Sequence, residues 1–248
     1  MAIGLASATA DRYRTMLTAA QEAASNNPGP ESEYMVAISL ERLGNLAITV
    51  GDTRAATEYF NNAVAILDQL AVAHPDDTRL LRAPSYSHER LGDLAVAAGD
   101  TPGADERYRA ALTIRERLAA VEPANAEYQR DVSVMRSKLG NLAVGAGDTR
   151  MADQHYRAAL DIGERLAAAD PANALYQRDL TVSHNKVGDL AVAAGDTTTA
   201  DQHYRAGLAI AERLAAADPG NAGYQRDLSI SHGRLASISD ADASQHRS

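Results

Sequence analysis

The sequence repeats itself every 48 residues, and that constrains the fold more than any other feature. The stretch Leu139 to Lys186, LGNLAVGAGDTRMADQHYRAALDIGERLAAADPANALYQRDLTVSHNK, recurs almost residue for residue as Val187 to Arg234. It recurs more loosely as Leu91 to Lys138 and as Leu43 to Arg90. The starts fall at 43, 91, 139, 187 and 235 without drift. A repeat of this size cannot bury its apolar face alone, so copies of it fold by stacking on their neighbours. The expected architecture is a solenoid.

Each repeat holds two helical patterns separated by turn residues. In the fourth repeat Leu180, His184, Val187, Ala191 and Ala194 recur at steps of three and four, with Leu190 alongside, which is the apolar stripe of one helix, A. Gly195-Asp196-Thr197 closes it: glycine suits the left-handed residue after a helix, and Asp or Thr suits the cap of the next. The stripe Ala200, Tyr204, Leu208, Ala211 and Ala215 then gives helix B, ended by Asp218-Pro219-Gly220-Asn221. The same rule, run from the amino terminus, predicts helices over 7–25, 31–50, 53–73, 78–98, 102–121, 126–146, 150–169, 174–194, 198–217 and 222–239. The chain starts on a B helix, because the segment Ala10 to Leu17 matches the segment from Ala104 with one residue missing.

The domain reading is therefore one repeat domain over 1–248: a half repeat at 1–42, full repeats at 43–90, 91–138, 139–186 and 187–234, a capping helix at 222–239 and a tail at 240–248. The last helix exchanges apolar positions for Ser and Asp after Leu235, as a cap with one wet face should. Pro84 stands where other repeats carry Val36, Val132, Leu180 and Leu228, and predicts that its helix starts near Pro84 or kinks there.

Composition closes off several function classes. The chain has no Cys, which removes disulfides, thiolate metal sites and cysteine nucleophiles. With no Trp and one Phe, its core must be built from Ala, Leu, Val and Tyr. The net charge of −9 argues against a nucleic-acid partner. The opening MAIGLASATADRYR lacks the basic segment and sustained apolar core of a secretion signal, and no window approaches a membrane span. The expectation is a soluble, cytoplasmic chain.

The repeats resemble the tetratricopeptide family, whose unit is a helix–turn–helix with a W-x2-L-G-x2-Y…A-x3-F…P pattern. In the fourth repeat His184, Val187, Gly188, Ala191, Ala200, Tyr204 and Pro219 carry that resemblance, and Gly51-Asp52, Gly99-Asp100, Gly147-Asp148 and Gly195-Asp196 sit at the family's turn. The resemblance implies an all-α solenoid of about ten antiparallel helices wound as a right-handed superhelix. Two departures stand out. The repeat is 14 residues longer than the family's 34, about two extra turns per helix, so the apolar stripe continues and the stacking surface grows. The family's Trp is replaced by His88, Arg136, His184 or His232, and its helix-A Tyr by Ala, which lets paired helices approach closely. Similar long repeats occur in bacterial proteins beside kinase, protease or NTPase modules, none of which is visible in this chain.

Catalytic constellations are missing. Gly145-Ala146-Gly147 follows a helix and lacks the third glycine of a dinucleotide loop, and there is no P-loop, H-E-x-x-H or G-x-S-x-G. Asp105/Arg109, Asp153/Arg157 and Asp201/Arg205 stand acid-first at i, i+4, the order favoured on a solvated helix face. His88, His184 and His232 form a ladder, but equivalent atoms of stacked repeats should stand on the order of 10 Å apart, too far for shared ligation at about 2 Å. They read as hydrogen-bonded core histidines, as do His155 and His203. No metal and no cofactor is expected.

One surface stands out. Two residues before each repeat glycine the chain is always basic, at Arg42, Arg90, Lys138, Lys186 and Arg234. One residue after it lie Asn45, Asp93, Asn141 and Asp189, and ten before it lie Arg82, Arg130, Arg178 and Arg226. At 100° per residue the three positions fall within about 80° of one another, on one face of helix A. In the tetratricopeptide family that face lines the concave groove, and Lys or Arg with Asn there resembles the clamp some members close on a peptide's terminal carboxylate. The same Arg row also has a structural use open to it, pairing with Asp131, Asp179 and Asp227 of neighbouring repeats. The expected function is a non-enzymatic scaffold or adaptor holding a peptide or protein segment, acidic or C-terminal, with no nucleic-acid, membrane or metal partner. A sensor for a small peptide or signalling ligand is the first alternative, and an enzyme the second.

Overall fold

A computed structural model describes residues 2–245 of the chain. It consists of α1 (Ala2–Asn26), α2 (Pro30–Thr49), α3 (Thr53–Ala73), α4 (Thr78–Ala97), α5 (Thr101–Val121), α6 (Ala126–Gly145), α7 (Thr149–Ala169), α8 (Ala174–Ala193), α9 (Thr197–Ala217) and α10 (Ala222–Gln245), with no strand among the described residues. Even-numbered helices are the A helices and odd-numbered ones the B helices. The eight internal helices match their expected spans to within one residue at either end. α10 runs to Gln245, so the tail expected from 240 is helical up to that residue; nothing between Ser239 and Gln245 is a Gly or Pro that would stop it. Residues 246–248 lie outside the described residues.

Two kinds of junction build the zigzag. At the A-to-B junctions Gly51, Gly99, Gly147 and Gly195 adopt φ of 75–81°, a conformation that only glycine takes without strain. The Gly51 N–H donates to Ile48 O and the Asp52 N–H to Ala47 O, the paired bonds that use up the last carbonyls of a helix. Asp52 then accepts the Ala55 N–H with its side chain and starts α3. The Gly-Asp pair therefore ends one helix and begins the next within two residues. At the B-to-A junctions Asp77, Asn125, Asn173 and Asn221 cap the following helix in the same way.

Pro84 does not start its helix. α4 begins at Thr78, capped by Asp77, and continues through Pro84, which is buried.

The chain's contacts divide it after Pro123 into two compact units, although the 48-residue register runs through that point unbroken. In the N-terminal unit each A helix packs most extensively on the B helix that follows it, α2 on α3 and α4 on α5. Its core joins Ala20, Val36, Ala37, Leu40, Leu67 and Leu80 in one cluster and Ala56, Phe60, Val64 and Leu91 in another. The C-terminal unit repeats the scheme with α6 on α7 and α8 on α9, around Ala152, Tyr156, Leu160, Leu180, Val187 and Ile210. These cores are largely aliphatic, with one buried aromatic ring on each of α3, α5, α7 and α9: Phe60, Tyr108, Tyr156 and Tyr204.

That ring explains the glycine inside each A helix. A Cβ at Gly92, Gly140 or Gly188 would lie 2.4 Å from Cε1 of Tyr108, Tyr156 or Tyr204, and one at Gly44 would lie 2.8 Å from the Phe60 ring. The aromatic side chain of each B helix rests directly on the backbone of its A helix.

Candidate functional site

The face singled out in the sequence is divided between structure and surface. The Asn or Asp after Gly92, Gly140 and Gly188 accepts from the hydroxyl of the ring packed on that glycine. Tyr108 donates to Asp93 at 2.7 Å, Tyr156 to Asn141 at 2.9 Å and Tyr204 to Asp189 at 2.8 Å. Burial and the acidic neighbour push the Tyr108 and Tyr204 hydroxyls well above the usual tyrosine range, and burial followed by the Asp189 charge pushes Tyr156 up to about 12. These tyrosines stay protonated donors. In the first full repeat Phe60 has no hydroxyl, and Asn45 instead accepts from Tyr86 of α4 at 2.9 Å while its own amide donates to Glu41 O.

The arginine row also has partners. In the C-terminal unit Arg130 reaches Asp179 and Arg178 reaches Asp227, each from one A helix to the next. Arg234 forks onto Asp189 with contacts of 2.7 and 2.9 Å, a planar two-point pair. In the N-terminal unit Arg90 lies 3.4 Å from Asp93 of its own helix, and Arg42 is exposed with its guanidinium 3.9 Å from the Met16 sulfur. Arg82 and Lys138 are half-buried. Lys186, half-buried on α8, makes no polar contact among the described residues. The A-helix face therefore mixes ion pairs, Arg130–Asp179, Arg178–Asp227 and Arg234–Asp189, with other cations, among them the exposed Arg42 and Arg226 and the half-buried Lys186.

An apolar row escaped the sequence reading. Four residues before each basic position stand Ile38, Tyr86, Val134, Val182 and Ile230. Tyr86 is 39%, Val182 45% and Ile230 43% exposed, whereas Ile38 and Val134 are half-buried. A basic residue follows each at i+4 and, except on α10, an Asn or Asp follows at i+7, so apolar, cationic and amide or carboxylate groups run down one stripe of each A helix. The row is visible in the 48-residue register, where the charges beside it are the stronger signal.

The histidines separate into different settings. His88 is buried, with Nε2 3.7 Å from an Asp68 oxygen, and His184 is buried with Nδ1 3.1 Å from Nδ1 of His203. His155 is buried too. His232, expected in the core, is exposed, because α10 has no following hairpin packed on that side among the described residues. Among the described residues no group of three or more His, Asp or Glu side chains is placed to hold a metal ion, and no helix is long and apolar enough to cross a membrane.

One further carboxyl is unusual. Glu41 is 8% exposed, accepts a 2.6 Å bond from the Ser87 hydroxyl and, through burial, is pushed up to about 7. Its counterpart one repeat on, Glu89, instead has the buried Arg115 as a partner at 2.5 Å.

Glycine-seated rings, Gly-Asp junctions and antiparallel hairpins in register define an all-α solenoid of helical hairpins, the fold that the tetratricopeptide resemblance implies. Two solved structures, BtubC and RapI, agree on that fold. BtubC (BKLC) from P. vanneervenii superposes with a TM-score of 0.71 over 96% of this chain and 84% of its own, at 19% identity. The apo form of RapI does so with a TM-score of 0.56 over 91% and 84%, at 11% identity. A thermophilic TPR protein of Thermus thermophilus matches more loosely, with a TM-score of 0.44 over 93% and 96%, at 16% identity. At such identities the likeness speaks to the fold. No family model and no curated protein sequence matches the chain.

Proposed function

We propose that the chain is a non-enzymatic interaction scaffold whose A helices hold an extended segment of a partner protein, apolar and acidic in character. The observation that carries this is the exposed stripe on α8 and α10: Val182 and Ile230 lie open one turn before Lys186 and Arg234. An exposed apolar row bordered by cations is suited to side chains of a partner rather than to water. Lys186 would take the acid. Arg234, already forked onto Asp189, shapes the floor of the stripe.

Spacing limits the pattern of the ligand. Neighbouring A helices in a stack lie on the order of 10 Å apart, which a chain in the polyproline II conformation covers in about three residues at ~3.1 Å each, one turn of that helix, so that every third side chain returns to the same face. A segment with an apolar residue every third position and acids between them fits the stripe. Its binding weakens as salt screens the cation.

The test is a peptide array varying charge and apolar spacing, read against the intact protein. The expected result is selection of acidic, apolar peptides, lost in Lys186→Glu and in Val182→Asp while helicity and melting temperature stay near those of the parent protein. Binding that ignores peptide charge, or variants that unfold yet still bind the same peptides, would overturn the reading.

A further inference from the structure

The histidine pair joining α8 to α9 has an arrangement that no other hairpin shares. In the repeat register His184 corresponds to His88 and Arg136, and His203 to Arg107 and His155. In α4–α5 and α6–α7 one partner is an arginine, which is permanently charged, and in α2–α3 the two positions hold Leu40 and Tyr59. Only in the fourth repeat do two titratable rings meet, with their Nδ1 atoms 3.1 Å apart and ring centroids 5.4 Å apart.

We propose that the His184–His203 pair is a proton-operated latch on the α8–α9 hairpin, closed while the two rings share a single N–H between their Nδ1 atoms and opened when both Nδ1 atoms carry protons. The hydrogen count requires this. With two neutral rings, one is the Nδ1–H tautomer and donates, and the other is the Nε2–H tautomer and accepts. A first added proton goes to the donor ring's Nε2 and leaves the N–H···N bond intact. A second has only the accepting Nδ1 left, which sets two N–H groups and two positive charges against each other at hydrogen-bond distance.

The surroundings make even the first proton difficult. Burial, then the neighbouring ring, holds His184 down to about 4, and burial followed by the Arg157 charge lowers His203, with Glu164 acting the other way. Arg157 and Glu164 both lie on α7. From α10, Asp227 and Arg234 face α8, but they are engaged with Arg178 and Asp189. Neither neutralises an imidazolium pair.

The sign follows from linkage. Unfolded, both rings protonate near 6.5; folded, both titrate lower, so the unfolded state binds more protons as pH falls below that value. The latch contributes fully above about 6.5 and is lost as pH falls toward the folded values.

Hydrogen exchange resolved by helix, run between pH 7 and 5 and corrected for intrinsic rates, tests the proposal. The expected result is that amides of α8 and α9 lose at least tenfold more protection on acidification than those of α6 and α7. In His203→Arg, which restores the His with Arg combination of α4 and α5, that excess should fall below threefold. His184→Gln keeps an acceptor and removes one titrating ring, and should do the same, so a folding failure of one variant leaves the other decisive. The proposal is overturned if α8 and α9 lose no more protection than their neighbours, if the variants show the same excess, or if imidazole titration by NMR finds two independent groups near 6.5.

Discussion

Replacing Gly140 by Ala tests whether the rings are truly seated on bare backbone. The helix itself gains from the change, since Ala is better than Gly in a helix interior by about 1 kcal/mol. Against that, the new Cβ would stand 2.4 Å from Tyr156 Cε1 and 2.5 Å from Cδ1. Ordinary carbon contact is ~3.5–4.0 Å, so the ring must retreat by roughly 1 Å. Tyr156 is 4% exposed and has little space to retreat into. Overpacking of this kind costs about 1–3 kcal/mol, and moving the ring strains the 2.9 Å bond to Asn141, worth about 0.5–1.5 kcal/mol. The net expectation is a destabilisation of about 1–3 kcal/mol despite the better helix former. Tyr156→Ala alone should cost about 2–4 kcal/mol. With the ring gone the methyl has room, so the double variant should be no less stable than Tyr156→Ala. Urea melts of the four proteins, at constant m-value, measure the coupling. Additivity within about 0.5 kcal/mol would refute the seating argument.

Two further outcomes follow from geometry already described. Glu41 has its folded pKa raised to about 7, so folding is disfavoured as pH rises from about 4.5 through 7 and that carboxyl must ionise in a buried site. Glu41→Gln keeps an acceptor for Ser87 and should stabilise the protein at pH 8 by up to about 3 kcal/mol, with little effect at pH 4.5; equal effects at both pH values would exclude a buried ionisation. Excising one whole repeat, Leu139 to Lys186, should leave a shorter folded protein, because stability in a stack is close to a sum over repeats and their interfaces. Excising 24 residues from the same place, 139–162, fuses the first part of α6 to the last part of α7, removes the Gly147-Asp148 junction and should unfold it; circular dichroism melts of the two deletions decide, and indistinguishable curves would contradict the nearest-neighbour picture.

Most of the fold was legible because its determinants are local. Gly-Asp and Asp-Pro-x-Asn punctuation fixed the helix ends, and periodic Ala, Leu and Tyr fixed the buried sides. The site was legible only in part. The arginine row and its aspartates were visible as two structural and functional options, and Arg130 with Asp179 and Arg178 with Asp227 show the structural one in use. The link from Tyr156 to Asn141 was not foreseen, because it depends on where a ring's far end arrives after crossing a neighbouring helix. Helical phase gives the direction of a side chain but not the partner at its tip. Of the two expectations for Pro84 only the helix start is excluded, since Asp77 caps α4 at Thr78 and the helix runs through the proline. His232 shares a register position with His184, but only the latter has α9 folded over it.

The swap at Phe60 has a consequence for how such an array can change over time. Where the other hairpins bring a tyrosine hydroxyl to the amide or carboxylate beside the glycine, α3 brings none, and Tyr86 from the following A helix supplies it to Asn45. The acceptor is filled either way, but by a different neighbour. Grafting Leu139–Lys186 in place of Leu43–Arg90 would remove Tyr86 and introduce Tyr156 in one step, because the donor and the acceptor travel together in the same 48 residues. Duplication or exchange of whole repeats therefore conserves the donor count. Changing Phe60 alone does not, since it delivers a second hydroxyl to an amide oxygen already in use. In this chain the repeat is the natural unit of exchange, and single residues drift safely only in step with their partner a helix away.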